Sequence, residues 1–461
     1  MAGASVPAAP PGSPLYAFAA EIVRRLSSAG HRAVFAGGCV RDRLLGVEPK
    51  DYDVATSATP EEVLKLFPRS IPVGAAFGVV RVLADPLWAP ATADPAALPL
   101  QIEVATFRSE SGYSDGRHPD AVRFSGERED VLRRDFTING LLFDPLRNEV
   151  IDHAGGQADL ARKRIRAIGD PVRRFQEDHL RLLRAVRFAA ALGFEIDGPT
   201  WAALKKNADQ VVTVSAERIR DELSKMLTGP DPRRALELLK SARLLKQVLP
   251  EVEALAGVEQ PPEYHPEGDV WVHTLLLLGQ LSNAPLALAL GALLHDIGKP
   301  PTCTRTDRIR FNEHEKVGAE MAREVLRRLK FPNAVSDQVT ELVRGHMTFK
   351  DASHMRPATL KRFLRQPDFE THLALHRLDC LACHQDLSAY AFCRGRLAEL
   401  PAEQLRPTPL VTGADLKALG LVPGPSFGKI LADVEDRQLE GQLASKAEAL
   451  AYVRQAYVPP S

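Results

Sequence analysis

Apolar and polar positions alternate in a way that sets out the elements before any motif is considered. Apolar residues recur at helical spacing through Leu15–Ser28, which predicts an amphipathic helix. Ala33–Ala36 is short and wholly apolar and reads as a buried strand; Val40–Leu45 then has helical spacing. A second strand is expected to run through Asp51 to Thr56, with Asp51 and Asp53 on one face and Tyr52 on the other. Pro60–Phe67 reads as a helix with Thr59 as its N-cap. Ile71–Leu83 gives two strand-like runs around Gly74 and Gly78, and Leu100–Phe107 alternates as a strand. Further on the period is helical: Arg173–Leu192, Val214–Leu227 after a capping Ser215, and Pro230–Leu249. Asp85–Pro99, rich in Pro and Ala, reads as a loop, and residues 1–14 as a disordered tail. The longest apolar run, Ala284–Leu294, is too short to span a bilayer.

A chain of 461 residues exceeds what one core holds, so several domains are expected. Lys+Arg and Asp+Glu are both 59, so net charge points to no partner. Its distribution does: residues 156–250 hold nineteen Lys/Arg against twelve Asp/Glu, a footprint that suits a polyanion. Five unevenly spaced cysteines make no disulfide framework, and the start lacks the basic and apolar regions of a signal peptide. A reducing cytoplasm is the expected compartment.

The chemistry begins at Gly37-Gly38, where the backbone can turn tightly and approach a ligand. The helix that follows offers free N–H groups to phosphate, and Arg41 adds a two-pronged cation. Asp51 and Asp53 supply two hard oxygen donors on one face, which suits Mg²⁺ and a nucleoside triphosphate. Either feature alone is common in proteins that bind nothing. Together, with RDRLLG between them, the string resembles the signature of the DNA polymerase β-like nucleotidyltransferases. Within that superfamily it resembles the branch of bacterial tRNA CCA-adding enzymes and class II poly(A) polymerases. The resemblance implies Glu103 as a third carboxylate near the metals and a flexible loop within Arg108–Asp130 that helps switch from C to A addition. Arg134, Asp135 and Asn139, in RRDFTING, match the family's ribose- and phosphate-contacting motif, with Gly140 where the family usually has Ala. Val150–Leu160 reads as the hinge between head and neck.

Nucleotide choice has a candidate in EDHLRLLRAVR. On one continuous helix, Asp178, Arg181, Arg184 and Arg187 form a polar ladder. A carboxylate accepts and a guanidinium donates, which matches the amino donor and ring-nitrogen acceptor that cytosine and adenine share. Uracil and guanine reverse that order. The string resembles the family's EDxxRxxR motif, which implies base reading by Asp178 and Arg181 and phosphate contacts by Arg184 and Arg187.

A second constellation follows. His273, His295-Asp296 and Asp379, with His314 and His346, mix imidazoles and carboxylates in a way that suits a transition metal better than Mg²⁺. Their order resembles the HD phosphohydrolase superfamily. That implies His273, His295, Asp296 and Asp379 as ligands of a metal such as Ni, Mn, Co or Fe, with His314 and His346 serving a second ion and Lys299 a phosphate. Cys380-Leu381-Ala382-Cys383-His384 matches a haem-attachment string, but the absent export signal and the apolar helix it falls on argue against haem.

The expected protein is α+β. A polymerase β-like head with a small mixed sheet spans residues 15–155. An all-α neck and body spans 156–262, an HD domain 263–396 and a helical extension 397–461. Its expected activity is template-independent addition of CCA to tRNA from CTP and ATP with Mg²⁺ at Asp51 and Asp53. The alternatives are a CC- or A-only enzyme, a poly(A) polymerase, and an HD phosphohydrolase whose head only binds RNA. Val73–Val79 reads as CCA-like, and the intact Asp51 and Asp53 weigh against the last.

Overall fold

The computed structural model describes residues 13–74, 78–84, 100–112, 121–263 and 265–458. The expected loop at Asp85–Pro99, most of the tail, Ala75–Phe77 and the centre of the glycine-containing loop after Arg108 lie outside them. The chain divides into two compact units, Met1–Met226 with Arg234–Val248, and Leu227–Arg233 with Leu249–Ser461.

The first unit is built on a seven-stranded mixed sheet. Its strands are β1 (Ala33–Ala36), β2 (Asp53–Thr56), β3 (Ser70–Gly74), β4 (Val79–Leu83), β5 (Gln101–Thr106), β8 (Leu141–Asp144) and β9 (Glu149–Asp152). A separate hairpin pairs β6 (Arg108–Ser111) with β7 (Ala121–Phe124). Spatial order is β3-β4-β5-β2-β1-β8-β9. β2 runs parallel to β5 with Asp53 opposite Glu103, and β4 runs antiparallel to β5 with Arg81 opposite Glu103.

Alternation decides which face each side chain meets. Val34, Ala36, Ala55 and Leu142 close one core with Phe107 and Val131. On the other side Phe35 meets Tyr52 at 5.2 Å and Phe143 at 6.1 Å, while Tyr16 from the first helix closes edge-on. That helix, Pro14–Ser28, turns Phe18, Ile22, Val23 and Leu26 inward, and Ser13 caps it. Thr59 caps Pro60–Leu66 in a full capping box with Glu62, as its sequence predicts. Val150–Asp152, expected in a hinge, instead complete edge strand β9, because Leu141–Asp144 offers them an antiparallel partner.

The second unit is helical. Val270–Leu278, Leu286–Leu294, His314–Arg328, Asn333–Gly345 and Phe369–Ala382 pack against one another. The apolar run Ala284–Leu294 is their central rod, with Ala289–Leu294 wholly buried. Gly413–Ala418, Pro425–Leu439 and Lys446–Tyr457 enclose a small core of their own around Leu416, Ile430, Ala449 and Val453. Among the described residues no helix is long and apolar enough to cross a membrane.

Gly298 is where this unit tolerates no side chain. A Cβ there would fall 2.1 Å from the His314 carbonyl oxygen and 2.6 Å from the Gly318 amide. Backbone cannot step aside cheaply, so Gly298→Ala is expected to cost at least about 1–3 kcal/mol, the usual cost of overpacking. Gly395→Ala is the control. It lies within helix Ser388–Glu399 with nothing near its absent Cβ, so alanine there should stabilise by about 0.5–1 kcal/mol. Thermal melts of both variants check the pair; equal shifts would contradict the close approach.

Candidate active sites

Strand β1 is followed by Gly37, whose φ of 77° and ψ of −128° suit glycine alone, and helix Gly38–Leu44 begins at once. A Cβ at Gly37 would stand 3.0 Å from Arg134 Nη1. The turn faces a polar cleft of about 390 Å³ in the first unit. Gly37, Gly38, Arg41, Asp51, Asp53, Arg134, Asp135, Asn139, Asp178, Arg181 and Arg184 all line it, joined by Arg133 and Phe188. Residues spread over about 150 positions of sequence thus meet at one surface.

Asp51 precedes β2 and Asp53 opens it, both exposed, while Tyr52 between them is buried. The expected alternation therefore holds although the strand begins two residues later than predicted. The protein mass around Asp53, with the Asp51 and Glu103 carboxylates beside it, pushes its carboxyl up to about 6. Glu103 is outside the cleft lining and pairs with Arg81 at 2.7 Å.

Opposite the carboxylates lies a network of guanidiniums. Arg41 donates to Asn139 Oδ1 at 2.7 Å, and Asn139 Nδ2 donates to Asp135 at 3.1 Å. Arg184 binds the other Asp135 oxygen at 2.6 Å. Burial would raise Asp135, but Arg184 above all, with Arg181 and Asn139, holds it down to about 2. Buried Asp130 grips both Arg133 at 2.6 Å and Arg134 at 3.0 Å. Phe188 lies beneath three guanidiniums, those of Arg187, Arg184 and Arg41, at 4.0, 5.1 and 5.2 Å.

The predicted continuous helix is broken here. Pro171–Glu177 and Leu180–Leu192 are separate helices, and Asp178 between them is extended. Its Oδ1 accepts from the Leu180 amide at 3.1 Å, as a carboxylate at a helix start does. The expected ladder therefore dissolves. Asp178 pairs with Arg218 at 2.9 Å, and Arg181 donates to Glu177 at 3.0 Å. Arg187 is taken by Glu222 at 2.5 Å and is outside the cleft lining.

Asp135 yields a pH test. Its carboxyl lies below its ordinary value of 3.8 in the fold, so its contribution is full above that value and is lost as pH falls towards 2. A shift of this size is worth roughly 2 kcal/mol. Urea midpoints followed by far-UV circular dichroism from pH 5 to about 2.5 should fall more steeply for the wild type than for Asp135→Asn. Equal slopes would remove Asp135 as the source.

The second unit gathers the histidines. His295 Nδ1, His314 Nδ1 and His346 Nδ1 lie 3.0, 2.9 and 2.6 Å from the carbonyls of Ala292, Phe311 and Val343. A carbonyl only accepts, so each Nδ1 carries the proton and each Nε2 turns a lone pair inward. His273 Nδ1 faces Glu267 at 2.8 Å. Four Nε2 atoms converge: His273 and His295 are 3.3 Å apart, His314 and His346 3.2 Å. Asp296 stands between the pairs. Its Oδ2 is 3.2 Å from His295 and 3.8 Å from His273; its Oδ1 is 3.5 Å from His314 and 3.9 Å from His346. Asp379 is 3.0 Å from His273. Burial lowers His314, and pushes His346 down to about 3, leaving both neutral. Burial would also lower His273, but Asp379 and Glu267 outweigh it and raise it to about 9. Buried Lys299 reaches Asp296 Oδ2 at 2.7 Å and Gln260 at 2.6 Å. The lone pairs of neutral His314 and His346, 3.2 Å apart, fit a cation shared by the two.

Residues 33–166 match the family described as the poly A polymerase head domain. Residues 193–255 match a probable RNA and SrmB-binding site of polymerase A, and 269–383 match the HD domain. A CCA-adding enzyme of Enterococcus faecalis is 33% identical over 439 residues, 94% of each chain. This chain belongs to the CCA-adding enzyme family. A CCA-adding enzyme of Levilactobacillus brevis is likewise 33% identical, over 94% of this chain and 96% of its own. One of Bacillus pumilus is 41% identical over a stretch that spans 57% of this chain and 64% of the relative. Among solved structures, that of the Bacillus stearothermophilus CCA-adding enzyme in complex with CTP aligns over 96% of this chain and 98% of its own, with a TM-score of 0.71 and 27% identity. As a member of the CCA-adding enzymes, the chain carries nucleotidyl-transfer chemistry that implies a divalent metal.

Several further residues complete both sites. Asp130 was legible, since it stands three and four positions before the arginines it holds. Arg218, in a string that resembles a motif of the family's neck, Glu222 and Gln260 carry no local sign of their partners, which lie 40, 35 and 39 positions away.

Proposed function

We propose that this protein adds C, C and A to the 3′ ends of tRNA from CTP and ATP without a nucleic-acid template. The observation that carries the reading is the shared cleft, lined at once by a phosphate-type glycine turn, two carboxylates and a donor–acceptor pair. Asp53, raised by the protein around it and then by crowding with Asp51 and Glu103, is a site short of positive charge, which fits a divalent ion. Mg²⁺ is the ion proposed for Asp51 and Asp53; bound there, it would acidify an RNA 3′-hydroxyl and neutralise charge on the triphosphate. Gly37, Gly38, Arg41 and Arg134 would bind phosphate oxygens. Asp135 and Asn139 would meet the ribose, where an acceptor at the 2′-hydroxyl favours ribonucleotides. Asp178 and Arg181 would read the base, each good contact contributing roughly 1–3 kcal/mol of discrimination. Arg184, tied to Asp135, would hold that acceptor in place as well as line the cleft. Residues 15–155 would be the head, 156–262 the neck and body, 263–396 the HD domain and 397–461 its extension.

The histidine cluster supports a second activity. His273, His295, Asp296 and Asp379 would hold one transition metal (Ni, Mn, Co or Fe), and His314 and His346 a second that shares Asp296. Such ions make a hydroxide nucleophile from water at neutral pH, which suits hydrolysis of a phosphoester. Lys299 would steady the phosphate.

A tRNA transcript ending at its discriminator base tests the main reading. It is incubated with CTP, ATP and Mg²⁺, and product ends are sequenced. Termination after C, C, A is expected. A long A tail would replace the reading with poly(A) synthesis, CC alone with a partial enzyme. No extension, even on tRNA already ending in CC, would sink it and leave the HD cluster as the working site.

A further inference from the structure

We infer that Glu267 is a positioning residue for the histidine cluster: it makes His273 the strongest imidazole donor of the four, so that the His273 half takes its ion before the His314 half. The inference rests on the reading of this cluster as a metal site.

All four rings turn Nε2 to the shared centre, but they are held from behind in two ways. His295, His314 and His346 give their Nδ1–H to the carbonyls of Ala292, Phe311 and Val343. His273 Nδ1 instead meets a carboxylate, Glu267 Oε1, at 2.8 Å. Glu315 stands 3.7 Å from His314 Nδ1, beyond hydrogen-bond reach. A carboxylate behind a ligating imidazole fixes the ring and makes it a stronger base than a neutral carbonyl does. The local sequence builds the contact. Gly268 turns with φ 126°, and Asp269 then caps helix Val270–Leu278, so Glu267 folds back onto His273 in the helix's first turn. His265 Nδ1 reaches the same Oε1 at 2.9 Å, its ring edge-on to His273 at 5.2 Å.

Folding alone does not account for a carboxylate at this place. The Glu267 side chain is 7% exposed, and its Oε2 is buried with no partner among the described residues. A bare buried carboxylate oxygen costs stability, whereas a cation on His273 gains from the charge behind it. Ligand count acts in the same direction. The His273 half has Asp379 as well as one Asp296 oxygen, and the His314 half has the other Asp296 oxygen alone. Lys299, 2.7 Å from Asp296 Oδ2, offsets one of these charges and leaves Asp379 and Glu267 in surplus.

The test titrates Co²⁺ by calorimetry into metal-free full-length protein that carries Asp53→Asn, which silences the head. Two steps are expected, the tighter lost in His273→Ala and the weaker in His346→Ala. Glu267→Gln should weaken the tighter step by about 10–100-fold, the usual cost of losing such a partner, and move the weaker one far less. His265→Ala, which leaves Glu267 on His273, should weaken it less than Glu267→Gln does. Both steps intact in Glu267→Gln overturn the positioning role and leave the metal reading standing; no Co²⁺ bound by the parent protein sinks the metal reading itself. Loss of the tighter step in His346→Ala overturns the ranking of the halves. A third equivalent that His265→Ala removes would make His265 and Glu267 ligands and overturn the positioning role. Should Glu267→Gln fail to fold by circular dichroism, Glu267→Asp, whose carboxylate falls short of Nδ1, takes its place; loss of folding there too makes Glu267 a structural residue and overturns the inference.

Discussion

Asp53→Asn is expected to abolish nucleotide addition while making the metal-free protein more stable at neutral pH. Losing one preorganised electrostatic stabiliser costs about 10²–10³-fold in turnover. Asp53 would anchor a divalent ion, so the expected loss is at the top of that range or beyond. The stability change has the opposite sign because Asp53 is strained electrostatically. The surrounding protein, Asp51 and Glu103 raise its carboxyl from 3.8 to about 6. A group raised in the fold favours folding below its unfolded value, here 3.8, and that advantage is gone above about 6. At pH 7.5 the ionised carboxylate is therefore a liability that an amide removes. Melting in EDTA and single-turnover CTP addition in Mg²⁺ check the two arms. The wild type should also need more Mg²⁺ as pH falls below about 6, because proton and metal compete for one oxygen. Glu103→Gln is the companion. Its carboxylate is outside the cleft lining and is already paired with Arg81, so it should lose far less activity than Asp53→Asn. Equal losses would put Glu103 among the metal donors. Unchanged activity in Asp53→Asn would remove the metal role assigned to that pair.

How much of this was legible in the sequence follows from how local each feature is. The glycine turn, Arg41, Asp51 and Asp53 fall within seventeen positions and were read with their spacing. The buried Tyr52 between two exposed carboxylates followed from strand alternation alone. The histidines were legible as a set because imidazoles and carboxylates in that order are rare in ordinary cores. What failed was the segment around Asp178. Its apolar spacing is helical on both sides, and periodicity cannot see that an extended aspartate ends the first helix and accepts from the first amide of the second. The partners that then sort the charges, Arg218 for Asp178 and Glu222 for Arg187, arrive from a helix some forty residues away. Long-range ion pairs leave no period, and even a motif such as the one that holds Arg218 does not name its partner. The same holds for Gln260 on Lys299. Glu267, by contrast, lay in plain view six positions before His273, but only the fold turns it onto the Nδ1 that orients that ring.

Replacing Asp296 by asparagine is expected to remove metal binding from at least half of the histidine cluster and to end any phosphoester hydrolysis there. The argument is geometric. One Asp296 oxygen faces His295 and His273, the other His314 and His346. An amide has one oxygen and one NH₂, and the NH₂ only donates. Whichever way it turns, one histidine pair faces N–H where a ligand oxygen stood. Charge adds to shape. Asp296 is held well below its ordinary range: burial opposes ionisation, but His295 and Lys299 overcome it. Its loss leaves Lys299 buried against neutral Gln260 and the Phe311 ring, and breaking a buried pair in this way costs about 3–5 kcal/mol. Two readouts separate metal loss from that cost. Metal content after dialysis against Mn²⁺ or Ni²⁺ should be lower in Asp296→Asn. The wild type should melt higher as metal is added, by about 2.7 kcal/mol at a hundredfold excess over Kd, whereas the variant should not respond. Nucleotide addition provides the internal control, because Asp51 and Asp53 belong to the other unit and share no ligand with Asp296. A variant that kept both full metal content and the thermal response would show that the histidines are packed for the fold and hold no ion. A variant that lost them but kept CCA addition would separate the two activities within one chain.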